Sequence, residues 1–353
     1  MDIGVDTHKK SHVLVAVGAQ GQTLGTRTVA NTPAGWAAAL QWAREQQQQI
    51  RWGVENTGSL GKGFAQFLLA QGEAEVREVV PHRTAQYRRR GRTQDKTDAA
   101  DALAMARLLG AEGDRLPLVQ ADDASTELRL LSDHRDNLIA DRTRLINQLH
   151  AQMLQLDPCY EERSGPLARP AGVRYCQEFA PPHADGLMQT RLLIVRQLAT
   201  RIAALTTEIA ELTVCLEQRV VALETPLLQL RGVGPVVAAR LLGERGRILR
   251  VHSAAALAAL AGIAPLAVAS GGRHGHRVNF GGNRQRNRAI HIIALTQRRC
   301  EPLAQAYYAK KRAEGKTARA AMRCLKRRLV DVLYRLWHAR PIESPQPVTA
   351  IAA

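Results

Sequence analysis

The first 80 residues alternate between short β-branched runs and stretches of helical periodicity, a pattern that leaves little besides an α/β sheet to fold into. Ile3 to Val5 and Val13 to Val17 flank a polar segment from Asp6 to His12, and Thr23 to Val29 forms a third run, so the chain is expected to open as a β-meander. Residues 34–48 read as a helix, 51–55 as a strand, 62–71 as a helix and 75–80 as a further strand. Two of these strands end in an acid: Asp6 closes Ile3-Gly4-Val5-Asp6, and Glu55 closes Trp52-Gly53-Val54-Glu55.

A carboxylate in such apolar surroundings must be paired, hydrated or bound to a cation. A second acidic pair, Asp98 and Asp101, lies in Lys96-Thr97-Asp98-Ala99-Ala100-Asp101, at the start of a predicted helix over Thr97 to Leu109. Three residues apart, both carboxylates project from one side of that helix, while Ala100, Leu103, Ala106 and Leu108 are expected to form its apolar face. Two strand-end acids facing a helical pair make an oxygen-rich pocket suited to Mg²⁺, which binds through a few carboxylates, phosphate oxygens and water. Taken singly, each acid reads equally as a cap, a surface charge or an ion-pair member, and Asp98 as an early-turn residue favoured by the helix dipole. The ordered set of four carries the metal-site expectation.

Charge is distributed unevenly along the 353 residues, which are enough for two or three domains. Residues 1–120 carry 15 basic and 12 acidic side chains, 121–224 carry 11 and 15, and 225–353 carry 23 and 5. The last third therefore holds the polyanion-binding charge, most of it arginine, whose planar fork suits phosphate. A smaller basic run, Arg88, Arg89, Arg90 and Arg92, sits just before the acidic pair, placed to hold a phosphate backbone over the metals. Only 4% of residues are aromatic, so base stacking on aromatic platforms is not expected to dominate. Five scattered cysteines without a Cys-x-x-Cys argue against a disulfide framework or a zinc site and fit a reduced cytoplasm. The sequence shows neither a membrane-length apolar run nor a signal-peptide pattern.

Between these parts lies a helical segment. Leu198, Ile202, Leu205, Ile209, Leu212 and Leu216 keep an alternating four-three spacing, and Leu131, Leu138, Leu145 and Leu149 do much the same upstream. Five prolines within residues 157–186 predict an irregular loop joining two long helices, which pair either within one chain or between chains. Four segments follow: an α/β domain over 1–120, a helical coiled-coil segment over 121–224, a mainly α basic domain over 225–340 and a tail over 341–353.

In the basic domain, Gly232 and Gly234 within Leu230-Arg231-Gly232-Val233-Gly234-Pro235 allow either a plain interhelical turn or a helix-hairpin-helix-like element whose backbone N–H groups approach phosphates. An Ala-rich helix over 253–261 is broken by Gly262-Ile263-Ala264-Pro265. A Gly- and Arg-rich loop is then expected from Ser270 to Asn283, and a helix from Arg284. Ser270 reads as a turn residue before two glycines, or as a nucleophile, with Arg273, Arg277, Arg284 and Arg288 available to clamp a phosphodiester beside it. His274 and His276 read as proton-transfer candidates or phosphate contacts.

Almost end to end, the chain resembles the insertion-sequence-one-ten family of transposases. The matching motifs are Gly4-Val5-Asp6-Thr7-His8-Lys9, Val54-Glu55-Asn56-Thr57-Gly58, Val80-Pro81-His82, Asp95-Lys96-Thr97-Asp98-Ala99-Ala100-Asp101-Ala102, Gly232-Val233-Gly234-Pro235, and Ala261-Gly262-Ile263-Ala264-Pro265 followed by Ser270-Gly271. The resemblance implies a RuvC-like, RNase H-fold domain whose Asp6, Glu55, Asp98 and Asp101 bind Mg²⁺. It also implies a coiled-coil segment and a C-terminal transposase domain in which Ser270 attacks DNA to form a phosphoserine link. Acids of one protomer would meet the serine of another within a dimer or tetramer. A noncoding bridge RNA would pair with donor and target DNA, and the protein would be cytoplasmic and nucleoid-associated. Two other readings of the residues stay open: a RuvC-like structure-specific endonuclease using water, and a non-enzymatic nucleic-acid-binding protein that uses the basic third alone.

Overall fold

The computed structural model describes residues 1–47, 49–89, 97–183, 185–244, 251–270 and 273–338, with the side chains of Ala269, Ser270, Arg273, His274, His276 and His338 excepted. The chain divides into two compact units, Met1–Asp122 and Asp123–Ala353.

The first unit is built on β1 (Asp2–Thr7), β2 (Ser11–Val17), β3 (Thr23–Ala30), β4 (Arg51–Glu55) and β5 (Val76–Val79), with helices α1 (Pro33–Gln46), α2 (Lys62–Ala70), α3 (Pro81–Arg89) and α4 (Asp98–Glu112). The strands form one mixed sheet in the order β3-β2-β1-β4-β5. β1 to β3 make the expected antiparallel meander, whereas β1–β4 and β4–β5 pair in parallel across helical connections. β1 and β2 are buried on both sides, as their unbroken apolar runs require. One face packs Ile3, Val5, Leu14 and Trp52 against Phe64 and Leu68 of α2 and Ala39 and Ala43 of α1. On the other face α4 meets Val13, Val15 and Val79 through Ala102, Met105, Ala106 and Leu109. The apolar face of α4 is thus rotated from the expected one: Ala106 and Leu108 are buried, but Ala100 and Leu103 are only half-buried.

Glycine makes that packing possible. A Cβ on Gly4 would lie 1.9 Å from the Ala102 carbonyl oxygen and 2.5 Å from the Ala106 nitrogen. Gly53, the register partner of Gly4 on β4, faces Leu109 and Val79. α4 therefore rests directly on the backbone of the two central strands.

The second unit is helical: α5 (Ala124–Leu156), α6 (Tyr160–Ser164), α7 (Pro170–Glu178), α8 (Gly186–Ala222), α9 (Pro235–Gly243), α10 (Ala254–Leu260), a β6–β7 hairpin (Leu266–Ser270 and Arg273–Arg277), α11 (Arg284–Cys300), α12 (Pro302–Ala313) and α13 (Ala318–His338). α5 and α8 are the two expected long helices and run antiparallel, with Arg219 ion-paired to Glu127 at 2.9 Å at one end and Arg191 bonded to Gln152 at 3.0 Å towards the other. Much of their apolar seam is spent within the chain. At the far end Leu145, Leu149, Val195, Leu198 and Ile202 close around Tyr160, Val173 and Cys176. Residues 157–186, expected to be irregular, thus contain two short helices held by this cluster. At the near end Leu128, Leu216 and Val220 join Leu241, Leu257, Ile290, Ile293 and Leu329 in one core, so the long helices and the basic segment share the compact unit that begins at Asp123. Of the stretch expected as a loop from Ser270 to Asn283, Ser270 and Arg273–Arg277 belong instead to the β6–β7 hairpin, while residues 278–283 form no helix or strand. No described helix is long and apolar enough to cross a membrane. Arg90, Arg92 and the tail from residue 341 lie outside the described residues.

The close approach at Gly4 sets a test. Gly4→Ala should cost about 3 kcal/mol in urea unfolding, because the clash is with helix backbone that has no rotamer to give way. Gly58→Ala, where an added Cβ meets nothing within 4 Å, should stay within about 0.5 kcal/mol of wild type. Equal effects at the two positions would remove the backbone contact as the determinant of α4 placement.

Candidate functional site

Side chains alternate faces along a strand, so Asp6 shares the α4 side of β1 with Gly4, and Glu55 shares that side of β4 with Gly53. Both acids lie at the same end of adjacent parallel strands and are 8% exposed. α4 begins at this end. Its N-cap is Thr97, whose hydroxyl accepts from the Ala100 N–H at 3.1 Å, and Asp98 and Asp101 occupy its first turn. The backbone contact at Ala102 thereby carries the helical acids to the strand-end acids.

His8 joins them. Its Nε2 lies 3.3 Å from an Asp6 carboxylate oxygen and 3.2 Å from one of Asp98, and the three ligand atoms fall within 4.8 Å of one another. Asp101 is ion-paired to Arg88 of α3. Thr7 donates its hydroxyl to the Glu55 carbonyl at 3.2 Å, bracing the two strand ends. Beyond Glu55, Asn56 takes a left-handed conformation (φ 52°) and its carbonyl accepts from Ser59 and Gly61, so the chain turns sharply away from the site.

The electrostatics follow from this crowding. Burial pushes the Glu55 carboxyl up to about 7, with Asp6 and Asp101 adding to the rise and Arg88 and His8 opposing it. Burial also raises Asp6; His8 pulls it back, and Asp98 and Asp101 push it further up. Among the described residues, these four carboxylates have one arginine and one histidine beside them, so negative charge is under-compensated there. Such a donor set fits a divalent cation, with ligand atoms of Asp6, His8 and Asp98 close enough together to hold one. Two partners here were not read from the sequence. His8 falls one residue past the end of β1, where strand periodicity no longer predicts direction. Arg88 was expected on phosphate, but a helix over Pro81–Arg89, unforeseen, brings it to Asp101.

In the second unit Ser270 is the last residue of β6, paired with Arg273 at the closed end of the hairpin, while Arg277 pairs with Leu266 at the open end. The Ser270 and Arg273 side chains lie outside the description. Arg284 and Arg288 are exposed in the first turns of α11, as expected, and Arg288 makes a loose contact with Asp136 at 3.9 Å. Arg89 is exposed at the end of α3. The two glycines of the proposed hairpin differ in role. Gly232 has φ 90°, and a Cβ there would press on Thr296 and the Ile293 carbonyl of α11, so it is needed for packing. Gly234 caps α9 in open space. The element before them is a single 3₁₀ turn, Pro226–Gln229, rather than a helix.

Two transposase profiles match the chain. The DEDD transposase profile of the IS110 group, described as a transposase, matches residues 3–158 and spans all four acids. The profile described as transposase, IS116/IS110/IS902 family, matches residues 224–309 and spans Gly232, Ser270 and Arg288. The chain is 29% identical to the insertion element IS116 uncharacterized 44.8 kDa protein of Streptomyces clavuligerus, over 98% of this chain and 96% of that protein. It is 27% identical to the IS900 uncharacterized 42 kDa protein of Mycobacterium paratuberculosis, covering 99% and 98%. It is 24% identical to the mini-circle putative transposase for IS117 of Streptomyces coelicolor, covering 96% and 94%. The chain belongs to the IS110 family of transposases and is an enzyme of DNA transposition.

The raised Glu55 pKa has a defined sign. An acid with a folded-state pKa near 7 and an ordinary value of 4.5 binds more proton when folded, so its contribution to stability is full below pH 4.5 and is lost as pH rises to about 7. In EDTA, Glu55→Gln should therefore raise the melting temperature relative to wild type at pH 8 more than at pH 5. An equal or reversed difference would show that Glu55 is not held in a carboxylate cluster.

Proposed function

We propose that this chain excises and inserts a mobile DNA element through an RNase H-like (RuvC-like) domain holding Mg²⁺ and a serine nucleophile in the basic domain. The observation that carries the reading is the convergence of Asp6, Glu55, Asp98 and Asp101 at one end of a mixed sheet of order β3-β2-β1-β4-β5. The bound cation would neutralise and orient a scissile phosphate. Asp6 and Asp98 would hold that cation, with Glu55 and Asp101 completing the carboxylate set.

Ser270 Oγ attacks phosphorus, a P–O bond to one strand breaks, and the departing deoxyribose oxygen leaves as a hydroxyl carrying one proton. The ester stores the energy of the phosphodiester, so a strand hydroxyl can reverse the step on a new end without ATP. Arg284 and Arg288, both exposed in the first turns of α11, would contact phosphates, as would the open N-terminus of α9 at Gly234. Donor and target DNA are the substrates, a noncoding bridge RNA selects them, and a homodimer or homotetramer acts in the cytoplasm at the nucleoid. What supports the RNA and oligomer readings is the family resemblance.

Ser270→Ala should retain DNA binding and lose both the covalent protein–DNA adduct on denaturing gels and strand exchange. Cleavage that persists without Ser270 would instead mark a water-using endonuclease. Asp101→Asn should lose reaction while remaining folded by thermal melting; reaction that survives in this variant with metal chelated would overturn the metal reading.

Mixing Asp98→Asn protein with Ser270→Ala protein should restore partial exchange if several copies share the work. No recovery at any ratio, with subunit exchange demonstrated, would restrict the chemistry to one copy.

A further inference from the structure

The second unit contains a cavity of about 560 Å³ that the acid set and Ser270 do not account for. It opens between the turn after α10, the end of β7, and helices α11, α12 and α13. Its lining combines two chemistries. Ile263, Ala264, Val278, Ala320 and the Tyr307 ring supply apolar wall, while Arg277, Arg284, Lys311, Lys316, Arg323 and Arg327 supply cations. No acid lines it. Glu314 serves Lys311 at 2.8 Å and Asp331 serves Arg327 at 2.5 Å, but Arg277, Arg284 and Arg323 have no acidic partner among the described residues. Asn287 is fixed at the wall, donating to the Ala261 carbonyl at 2.8 Å and accepting from the buried Lys326 ammonium at 2.6 Å.

The structure assigns this cavity to one nucleotide of a single-stranded phosphodiester chain: we propose that its base leaves the stack to enter the apolar part and its flanking phosphates sit on the unpaired arginines. Phosphate alone explains the cations but leaves the apolar wall unfilled. A neutral apolar ligand explains the wall but leaves cations crowded around it. A nucleotide satisfies both. A continuous strand rather than a free nucleotide is indicated by a second hollow that shares Arg284, Asn287 and Lys326 with the first and continues past Arg288 to His291 along α11. Single strands are favoured over duplex because a paired base must first be extruded, at a cost of a few kcal/mol. The proposal deepens the nucleic-acid reading of the basic domain and rests on it, but needs no cleavage chemistry.

Cys324, half-buried in the cavity wall, supplies a native probe. The full-length protein would be alkylated with iodoacetamide and the Cys324 peptide quantified by mass spectrometry, with oligothymidine, oligouridine or a duplex of the same length added. Either single strand should slow Cys324 modification about tenfold, while the duplex should leave it within about twofold, matching the energy of one sequestered base. Protection by only one of the two strands identifies DNA or RNA as the source.

Ala320→Trp, which fills the cavity and removes no charge, should weaken single-strand binding about tenfold and duplex binding little. Arg323→Ala should lower the salt slope for single-strand binding by about 0.7. Unchanged Cys324 modification at saturating strand, or equal loss of single-strand and duplex affinity in a folded Ala320→Trp protein, overturns the assignment. Loss of recombination in Ser270→Ala with Cys324 protection intact, or the reverse, tells this assignment apart from the transposase chemistry.

Discussion

Everything in the first unit depends on a helix lying in contact with bare strand backbone. At Gly4 the Ala102 carbonyl approaches so closely that no side chain fits, and the paired Gly53 extends the flat patch across β4. That contact fixes the height of α4 above the sheet and its register along β1. Because Asp98 and Asp101 precede Ala102 by four residues and one, and Asp6 follows Gly4 by two, the same contact decides whether the acids meet. A bulkier residue at Gly4 would lift the helix and separate carboxylates that no direct bond holds together. Packing geometry here sets the geometry of the acid cluster one turn away.

The cluster so formed works against the fold that creates it. Burial and like charge push Asp6 and Glu55 up, and among the described residues the compensation comes from His8 on Asp6 and Asp98 and from Arg88 on Asp101. An apolar replacement of the same shape would pack better. The site is stable enough because the surrounding core, Ile3, Val5, Trp52 and Phe64 on one face and Met105 and Leu109 on the other, is fully buried. Charge of this kind, held where it costs stability, is what a cation-binding centre requires and what a purely structural ion pair avoids.

How far the sequence foretells this site depends on which periodicity governs each residue. Asp6 and Glu55 were legible because they close short β-rich runs, and Asp98 and Asp101 because their three-residue spacing puts both on one side of a predicted helix. Each of these is a local signal. His8 and Arg88 were not legible, since one lies just beyond a strand end and the other acts through the packing of α3, which no local pattern announces. The same distinction holds in the second unit. The long helices α5 and α8 follow from their leucine spacing, but the helices within residues 157–186 form only because Tyr160, Val173 and Cys176 find the far end of that pair. The β6–β7 hairpin is built from Leu266–Ser270 and Arg273–Arg277, where glycine and arginine suggest a loop and cross-strand pairing decides otherwise.

Net charge also proves coarser than position. The basic third carries 23 lysines and arginines, yet several are structural. Arg240 pairs with Asp136 at 2.5 Å while bonding Gln285, and the wholly buried Arg286 reaches the Glu244 carboxylate at 3.2 Å. Such arginines replace hydrophobic contacts in a helical core poor in aromatic residues, and they are unavailable to phosphate. Some of the cations left for a polyanion gather at one place. Arg284 and Arg323 border the same apolar hollow, with Arg288, which keeps only a loose contact to Asp136, a turn further along α11. A solvated basic face has no reason to surround apolar wall with unpaired cations, because each would be better hydrated elsewhere. Their concentration there is the mark of a site shaped for a ligand carrying both a ring and a charge.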